Sequence, residues 1–400
     1  MSGDGLQQVV VAGVGLTPVG EHWERSLRTL ALEAIQAARA DAGGLQPQAL
    51  YAGNMLAPAL SSQTHLGVLL ADFAGLRGIE AASFEAAGAS AGVALRQACL
   101  ALAAGAIEVA LVVGVEKVTD RIGPRVGAAL AAAADSDHEG IQGITPAAQA
   151  ALLMRRYQHE HGLPADALAG FSRIAHENAR QAAHAFYRRA ITLEDYARSP
   201  AVSDPVRLLD AAPVADGAAA LVLTRREALP DGLARTAVPV VASAAASTAL
   251  ALHDQPDPLT LPAAAESSAR ALAMAGITPE QIDLFELHDL FSIYAALQLE
   301  AAGFAPRGQG WRLGQDGEIG RQGRIPISTF GGSKARGDTG GATGLYQAAE
   351  VVLQLQGRAG AAQVPGASFG MAQCLGGSGA TAVTHIFGRP AGAGSGPDSS

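Results

Sequence analysis

The sequence is poor in cysteine, aromatic residues and basic charge, and each shortage excludes something. Cysteine occurs twice in 400 residues, at Cys99 and Cys374. Two thiols cannot make a disulfide framework, and they point to a reducing, cytoplasmic setting. Lys and Arg total 28 against 37 Asp and Glu, a net charge of −9. Without a basic excess there is no counterion release to drive binding to phosphate backbones, so nucleic acid is not an expected partner. No apolar run reaches the roughly 18–20 residues that cross a bilayer, so no membrane span is expected. The opening residues lack the basic region and long apolar stretch of a signal peptide. Aromatics make up 4% of the chain although hydrophobic residues make up 49%. The core must therefore be Ala, Val and Leu, with backbones packed closely, and 48 glycines fit tight turns and close approaches.

What is present alternates between strand-like and helix-like patterns. Residues 9–15 are a short apolar run ending in glycine, consistent with a buried strand. Residues 26–40 read as a helix with Leu27, Leu30, Ala31, Ala34 and Ile35 on one face. A second helix is expected at 89–104 and a second apolar strand at 109–115. This alternation predicts an α/β fold whose sheets are covered on both faces. Residues 120–199 are more polar and are expected to form an inserted loop domain. Within it, the stretch from Arg155 to His161 and the stretch from Arg180 to Arg189 read as helical. Residues 200–213 are a connection punctuated by Pro and Asp, and 218–223 is again strand-like. After Thr236 the order restarts, with strands at 238–242 and 284–287 and helices at 263–275, 292–302 and 343–357. Pro239 speaks against the first of these strands. Two further strands are expected around a glycine turn in 369–387. The repeated order suggests a duplicated unit, 1–119 completed by 200–235 and then 236–390. The Gly/Ser/Pro tail at 391–400 is expected to be disordered.

Four segments carry the chemistry. Phe84-Glu85-Ala86-Ala87-Gly88-Ala89-Ser90-Ala91-Gly92 directly precedes a helix. Glu286-Leu287-His288-Asp289-Leu290-Phe291 follows a strand. A glycine-rich loop runs from Gly331 through Lys334, Arg336 and Asp338 to Gly344. Cys374-Leu375-Gly376-Gly377-Ser378-Gly379 closes the set. In this order the segments resemble the thiolase superfamily from about residue 9 to 390, nearest its sterol-carrier-protein-type and archaeal-type members. Gly114-Val115-Glu116-Lys117-Val118-Thr119, Asp204 to Asp210 and Asp216-Gly217-Ala218-Ala219-Ala220 add to the resemblance. It implies two similar α/β halves stacked as five layers, α-β-α-β-α, with the loop domain over the site. It also implies coenzyme A thioesters as substrate or ligand, with no further bound cofactor and no metal. As to partners, it implies at least a homodimer, or a tetramer, and a possible small zinc-ribbon/OB-fold protein beside the acyl-CoA channel.

Two departures from the family are the most informative residues. The resemblance implies a nucleophilic cysteine at the N-terminus of a buried helix, where the dipole lowers the thiol pKa. Gly88 stands there, without a side chain. Cys99 lies roughly 16 Å further along the same helix, at 1.5 Å per residue, and reads as a core residue. The family's activating histidine is replaced by Asp338, which when ionised is an acceptor only. Nucleophile and activator are therefore lost together.

The remaining candidates keep their alternatives. His288 corresponds to a donor to the thioester oxygen, or is a buried histidine bonded to Asp289 or backbone. Cys374 matches the position of a general base, or is a bystander. Tyr346 and Tyr294 lie on helices that begin at site loops, and tyrosines act as acid and base in retro-aldolase relatives that lack the cysteine, or they are structural. Ser90 reads as a helix cap near the substrate, or as a substitute nucleophile, and Gly376 and Gly377 read as substrate-binding. Arg155-Arg156 and Arg188-Arg189 read as a solvated helix face or as contacts to CoA phosphates. Lys334-Ala335-Arg336 lacks Walker A spacing. Three functions follow: aldol or retro-aldol chemistry on acyl-CoA without an acyl-enzyme, a non-catalytic acyl-CoA-binding subunit, or ordinary acyl transfer. An open pocket between Gly88, His288 and Asp338 would favour the first. A pocket filled by Phe330, Leu290 or Met371 would favour the second.

Overall fold

The computed structural model describes residues 5–391. Of the tail expected to be disordered, all but Ala391 lies outside the described residues. The first half runs β1 (Val9–Leu16), α1 (Leu27–Asp41), β2 (Ala49–Gly53), α2 (Leu66–Phe73), β3 (Glu80–Phe84), α3 (Ser90–Ala103) and β4 (Val109–Glu116). Helices α4 (Gly123–Ala131), α5 (Pro146–His161), α6 (Ala169–Ala179) and α7 (Leu193–Arg198) follow. A small hairpin, β5 (Ala201–Ser203) and β6 (Val206–Arg207), then leads to β7 (Gly217–Arg225). The second half begins with β8 (Val238–Ser247), α8 (Pro262–Ala275), β9 (Leu284–Glu286), α9 (Ser292–Ala301) and α10 (Gly310–Gln315). It ends with α11 (Gly332–Arg336), α12 (Thr343–Leu355), β10 (Phe369–Gly376) and β11 (Thr381–Gly388).

Strand pairing shows the duplication that the sequence only suggests. Outward from β1, the neighbours are β7 and β4, each antiparallel to the strand before, then β2 and β3 in parallel. Outward from β8, they are β11 and β10, again antiparallel, then β9 in parallel. The two half-sheets touch where Val10 and Val11 of β1 meet Pro239 and Val238 of β8. Pro239 is tolerated because it sits at this short seam near the strand's start rather than within a full ladder.

The helices sort into layers by what they touch. Helix α1 covers β1, β4 and β7, and α8 covers β8 and β11. Helices α3 and α12 contact each other and strands of both halves, so they form the central layer. Helix α1 starts where the Ser26 side chain accepts from Thr29 N at 3.2 Å, and its five expected core residues are all buried. Close packing without large side chains is visible at Gly15 of β1, where a Cβ would lie 2.1 Å from the Ala34 carbonyl of α1. No helix among the described residues is long and apolar enough to cross a membrane.

One expected helix is absent. Helix α6 stops at Ala179, and residues 180–189 are turn and coil. Their backbone groups are spent elsewhere: Val19 N donates to His184 O at 2.8 Å, and Phe186 N and Tyr187 N donate to Arg336 O and Ala335 O at 2.9 Å each. These long-range bonds anchor the segment to the glycine-rich loop and replace the i→i−4 bonds of a helix. Arg188 and Arg189 are therefore not on a helix face.

Candidate active site

Four backbone features converge at one end of the central helix layer. The first is the loop before α3. Ala87 is left-handed there, with φ 49°. The buried Ser90 hydroxyl donates to Ala87 O at 2.6 Å and accepts from Ala86 N at 2.9 Å. The second is the turn after β10, where Gly376 passes so near this loop that a Cβ would meet Ala86 O at 2.4 Å. The third is the end of β9, which delivers His288. Gln298 of α9 clamps its peptide, accepting from His288 N at 3.0 Å and donating to His288 O at 2.8 Å. The fourth is the loop between α11 and α12, which delivers Asp338. Its N–H donates to Pro213 O, and its carbonyl accepts from Ala215 N, both at 2.8 Å.

Gly88, His288, Tyr294, Asp338 and Gly377 all line one narrow cavity of about 50 Å³, roughly the space of one or two waters. Leu290 is part of its wall; Phe330 and Met371 are not in the lining. The cavity is thus open between Gly88, His288 and Asp338. A Cβ built on Gly88 would stand 3.5 Å from His288 Nε2, 2.9 Å from its Cε1 and 2.6 Å from Leu375 O. Position 88 therefore faces the imidazole edge, and no thiol lines the cavity.

Burial sets the protonation states. His288 is pushed down to about 4, by desolvation first and by the Arg336 guanidinium second. It is a neutral imidazole at pH 7, and its Nδ1 is buried without a partner. Asp338 is held above the usual carboxylate range by burial, against hydrogen bonds from Thr343 and Gly340 N to its Oδ1, at 3.1 and 3.0 Å. Tyr294 is pushed up to about 12 by burial, opposed by a hydrogen bond with Ser378. Arg336 is fully buried, 2.6 Å from Glu350 and 5.0 Å over the Tyr346 ring.

Four expected site residues, Tyr346, Cys374, Ser90 and Gly376, are not brought to the cavity. The Tyr346 hydroxyl donates to Thr17 O at 2.9 Å, tying α12 to the end of β1. Tyr346 sits at the first turn of its helix, on the side that packs against β7 and β1. Cys374 points into the helix layer, where Cβ atoms at Gly92 and Gly344 would meet its Sγ at 2.3 and 2.7 Å. Strand alternation explains this, since the neighbours Leu375 and Gly377 reach the cavity instead. Burial pushes the Cys374 thiol up to about 12, so it is a poor base in this setting. Ser90 and Gly376 shape the loops and are absent from the lining. Cys99 is fully buried in α3, and burial pushes it up to about 12 as well.

Sequence reasoning expected a loop domain over the site but singled out none of the residues of the opposite wall. Met55, Leu130, Ala133, Pro146 and Gln149 close the cavity from the β2–α2 connection and the α4–α5 region. Gln149 accepts from the Ser378 hydroxyl at 2.7 Å and donates to buried Glu139 at 3.0 Å, joining that wall to the turn after β10. None of these carries a motif; only the tertiary contact marks them. Among the described residues no group of His, Cys, Asp or Glu is arranged to hold a metal.

Residues 9–227 match the thiolase N-terminal domain family, and residues 244–389 match the thiolase C-terminal domain-like family. The chain belongs to the thiolase superfamily. An acetyl-CoA acetyltransferase of Methanothermobacter thermautotrophicus is 43% identical over 96% of this chain and all of its own length. A steroid side-chain-cleaving aldolase of Thermomonospora curvata is 30% identical over 86% of this chain and 89% of its own. Among solved structures, an Ltp2-ChsH2(DUF35) aldolase superposes with a TM-score of 0.81 at 25% identity, over 96% of this thiolase-fold chain and 98% of that one. The similar proteins thus include both an acyltransferase and carbon–carbon lyases.

Proposed function

We propose that the chain acts on acyl-CoA thioesters by carbon–carbon chemistry that passes through an enolate and forms no acyl-enzyme. The observation that carries this reading is the shared cavity of Gly88, His288 and Asp338, which offers a hydrogen-bond donor and a base but no thiol. In the cleavage direction Asp338 takes the β-hydroxyl proton of a β-hydroxyacyl-CoA. The Cα–Cβ bond breaks, its electron pair becomes the enolate of the shorter thioester, and a carbonyl compound leaves. His288, neutral, donates from Nε2 to the thioester oxygen as negative charge builds there. The proton held by Asp338 then returns to Cα, so the enzyme ends as it began. Tyr294 is the alternative proton carrier in the same cavity. The similarity to aldolases and lyases supports this reading. The 43% identity to an acetyl-CoA acetyltransferase supports acyl transfer instead, but Gly88 leaves that reaction without its nucleophile.

The test is incubation with acetyl-CoA, β-ketoacyl-CoA and β-hydroxyacyl-CoA panels, read by mass spectrometry of products and of the intact protein. We expect a β-hydroxyacyl-CoA to split into a carbonyl compound and a shorter acyl-CoA, with the protein mass unchanged. An acetyl adduct on Cys99, Cys374 or Ser90 would establish an acyl-enzyme and overturn the proposal. If no ester is turned over, with or without a partner, the chain is a binding subunit. The ChsH2(DUF35) component in the name of the solved aldolase supports testing a small zinc-ribbon/OB-fold partner here.

Self-association belongs to the same proposal. Strand β3 ends the sheet, paired on one side only with β2, and an unpaired edge is a template for a second strand. Light scattering is expected to give at least a dimer. A monodisperse monomer well above assay concentration counts against it.

A further inference from the structure

One buried cation stands behind both reacting side chains. Arg336 closes α11, two residues before Asp338, and its side chain is wholly buried. The backbone fixes it on both sides. Arg336 O accepts from Phe186 N at 2.9 Å, and Gly337 follows at φ 111°, where a Cβ would meet Val19 Cγ1 at 2.6 Å. Arg336 Nη1 donates to Glu350 Oε2 at 2.6 Å, and the guanidinium lies 5.0 Å over the Tyr346 ring. The other oxygen of Glu350 meets His184 Nε2 at 2.7 Å. The rest of the fork, Nε and Nη2, is buried with no hydrogen-bond partner, and so is His288 Nδ1.

The charge of this half-paired fork reaches the groups around it. Glu350 offsets it by contact and Asp289 through space. Glu286 does not offset it, because burial first and Glu350 second push that carboxyl up to about 8, largely uncharged at pH 7. The same guanidinium acts on His288 and on Asp338 and lowers both. The other groups near the pair add little charge. From β4, Glu116 faces the turn after Asp338, its Oε1 accepting from Gly341 N at 3.2 Å, and burial pushes it up to about 8. Tyr294 on α9 and Tyr346 on α12 are raised by burial and stay uncharged at pH 7. Lys117, beside Glu116, is paired with Asp216 and Asp120 at 2.9 and 2.7 Å. Lys334 of α11 acts on Asp289 and Asp210. One positive charge penalises an imidazolium and favours a carboxylate. A neutral imidazole and an ionised carboxylate are the two states that the proposed cleavage needs at once.

We propose that Arg336 is a positioning residue that holds His288 as a neutral donor and Asp338 as an ionised base in one cavity, with Glu350 as its counter-ion. It is absent from the cavity lining and acts on the reaction only through those two side chains. The inference rests on the function proposed above, which requires both states together. Glu350 keeps the cation from standing alone in the interior, where an unpaired ion is strongly destabilising. Because Glu350 contacts one nitrogen of the fork only, it leaves part of the field directed at the site.

Two readouts on the full chain test it. One is the pH–rate profile for cleavage of a β-hydroxyacyl-CoA. The other is an NMR titration with isotope-labelled histidine, in which His288 is assigned by its loss in His288→Ala; this one needs no substrate. The variants are Arg336→Gln/Glu350→Gln, which removes both charges and leaves no lone buried ion, and Arg336→Lys, which keeps the charge. In the native chain no His288 step is expected above about pH 5, since its value is about 4. In the double variant the His288 step and the acid limb set by Asp338 are both expected to move up by about one pH unit or more. Arg336→Lys should return both toward the native values. A folded double variant with neither one moved makes Arg336 merely structural and overturns the proposal, while the carbon–carbon reading stands on its own turnover. A moved His288 step with no ester turned over by any of the proteins supports the action of Arg336 on His288 and removes the carbon–carbon reading. If the double variant does not fold, Glu350→Gln decides. Its amide keeps an oxygen for Arg336 and an N–H for His184, and with the counter-charge gone the acid limb should move down instead. An unmoved limb there, or a native His288 step at the ordinary value of about 6.5, overturns the proposal.

Discussion

Replacing His288 by alanine is expected to lower turnover of a β-hydroxyacyl-CoA by about 10²–10³-fold, the usual cost of one oxyanion donor, with little change in ester binding. The imidazole is set up for that role by its surroundings. Gln298 fixes its backbone on both sides, and Nε2 faces the space above Gly88. Desolvation and Arg336 hold it down to about 4, so it gives no titration step near pH 6–7. Because the folded pKa lies below the usual value of about 6.5, the stability that neutral His288 supports is present above that value. It is lost as pH falls toward 4. A steady-state comparison of kcat and KM checks the prediction. A large rise in KM with kcat unchanged would place His288 in binding, not in stabilising the developing charge.

Asp338→Asn is expected to cost about 10²–10⁴-fold in turnover, the range of a lost general base. Asparagine keeps an oxygen for the Gly340 N–H and Thr343 hydroxyl, so the loop should hold its shape. The native rate should rise with pH through a pKa above the ordinary carboxylate value of about 3.9, because burial raises Asp338 and only the ionised form accepts a proton. The variant should lack that limb. Stability moves the other way. With the folded pKa raised, the fold favours the protonated acid, and that contribution is lost as pH rises through the folded pKa. Asp338→Asn should therefore melt no lower than the native chain at pH 7, and the difference should shrink in acid. Unchanged cleavage in this variant would move the base to Tyr294, the remaining titratable side chain proposed for that role.

Much of the fold was legible because it rests on local pattern. The β1 and α1 stretches, the apolar strand β4 and the glycine turn between β10 and β11 follow from periodicity, capping and turn chemistry. The meeting of Gly88, His288 and Asp338 in one cavity was expected from the resemblance to thiolases and not from local pattern; the segment around His288 carries no glycine. The stretch 180–189 was misread because its composition suits a helix, while its amides bond to Arg336 and Ala335 more than a hundred residues away. Cys374 and Tyr346 sat in the right motifs but face the wrong way. The pleat of β10 turns one residue inward and the next toward the cavity, and the packing of α12 on β7 and β1 chooses which face of the helix is hidden.

The sequence by itself therefore determined an α/β pattern and the absence of a thiol at position 88. Residue identity alone decides that, whatever the fold does around it. Only the tertiary structure decided which surviving side chains share the cavity and what wall Gln149 and Leu130 close over it. Those outcomes depend on side-chain direction and on contacts between segments far apart in the chain, and no local pattern encodes either.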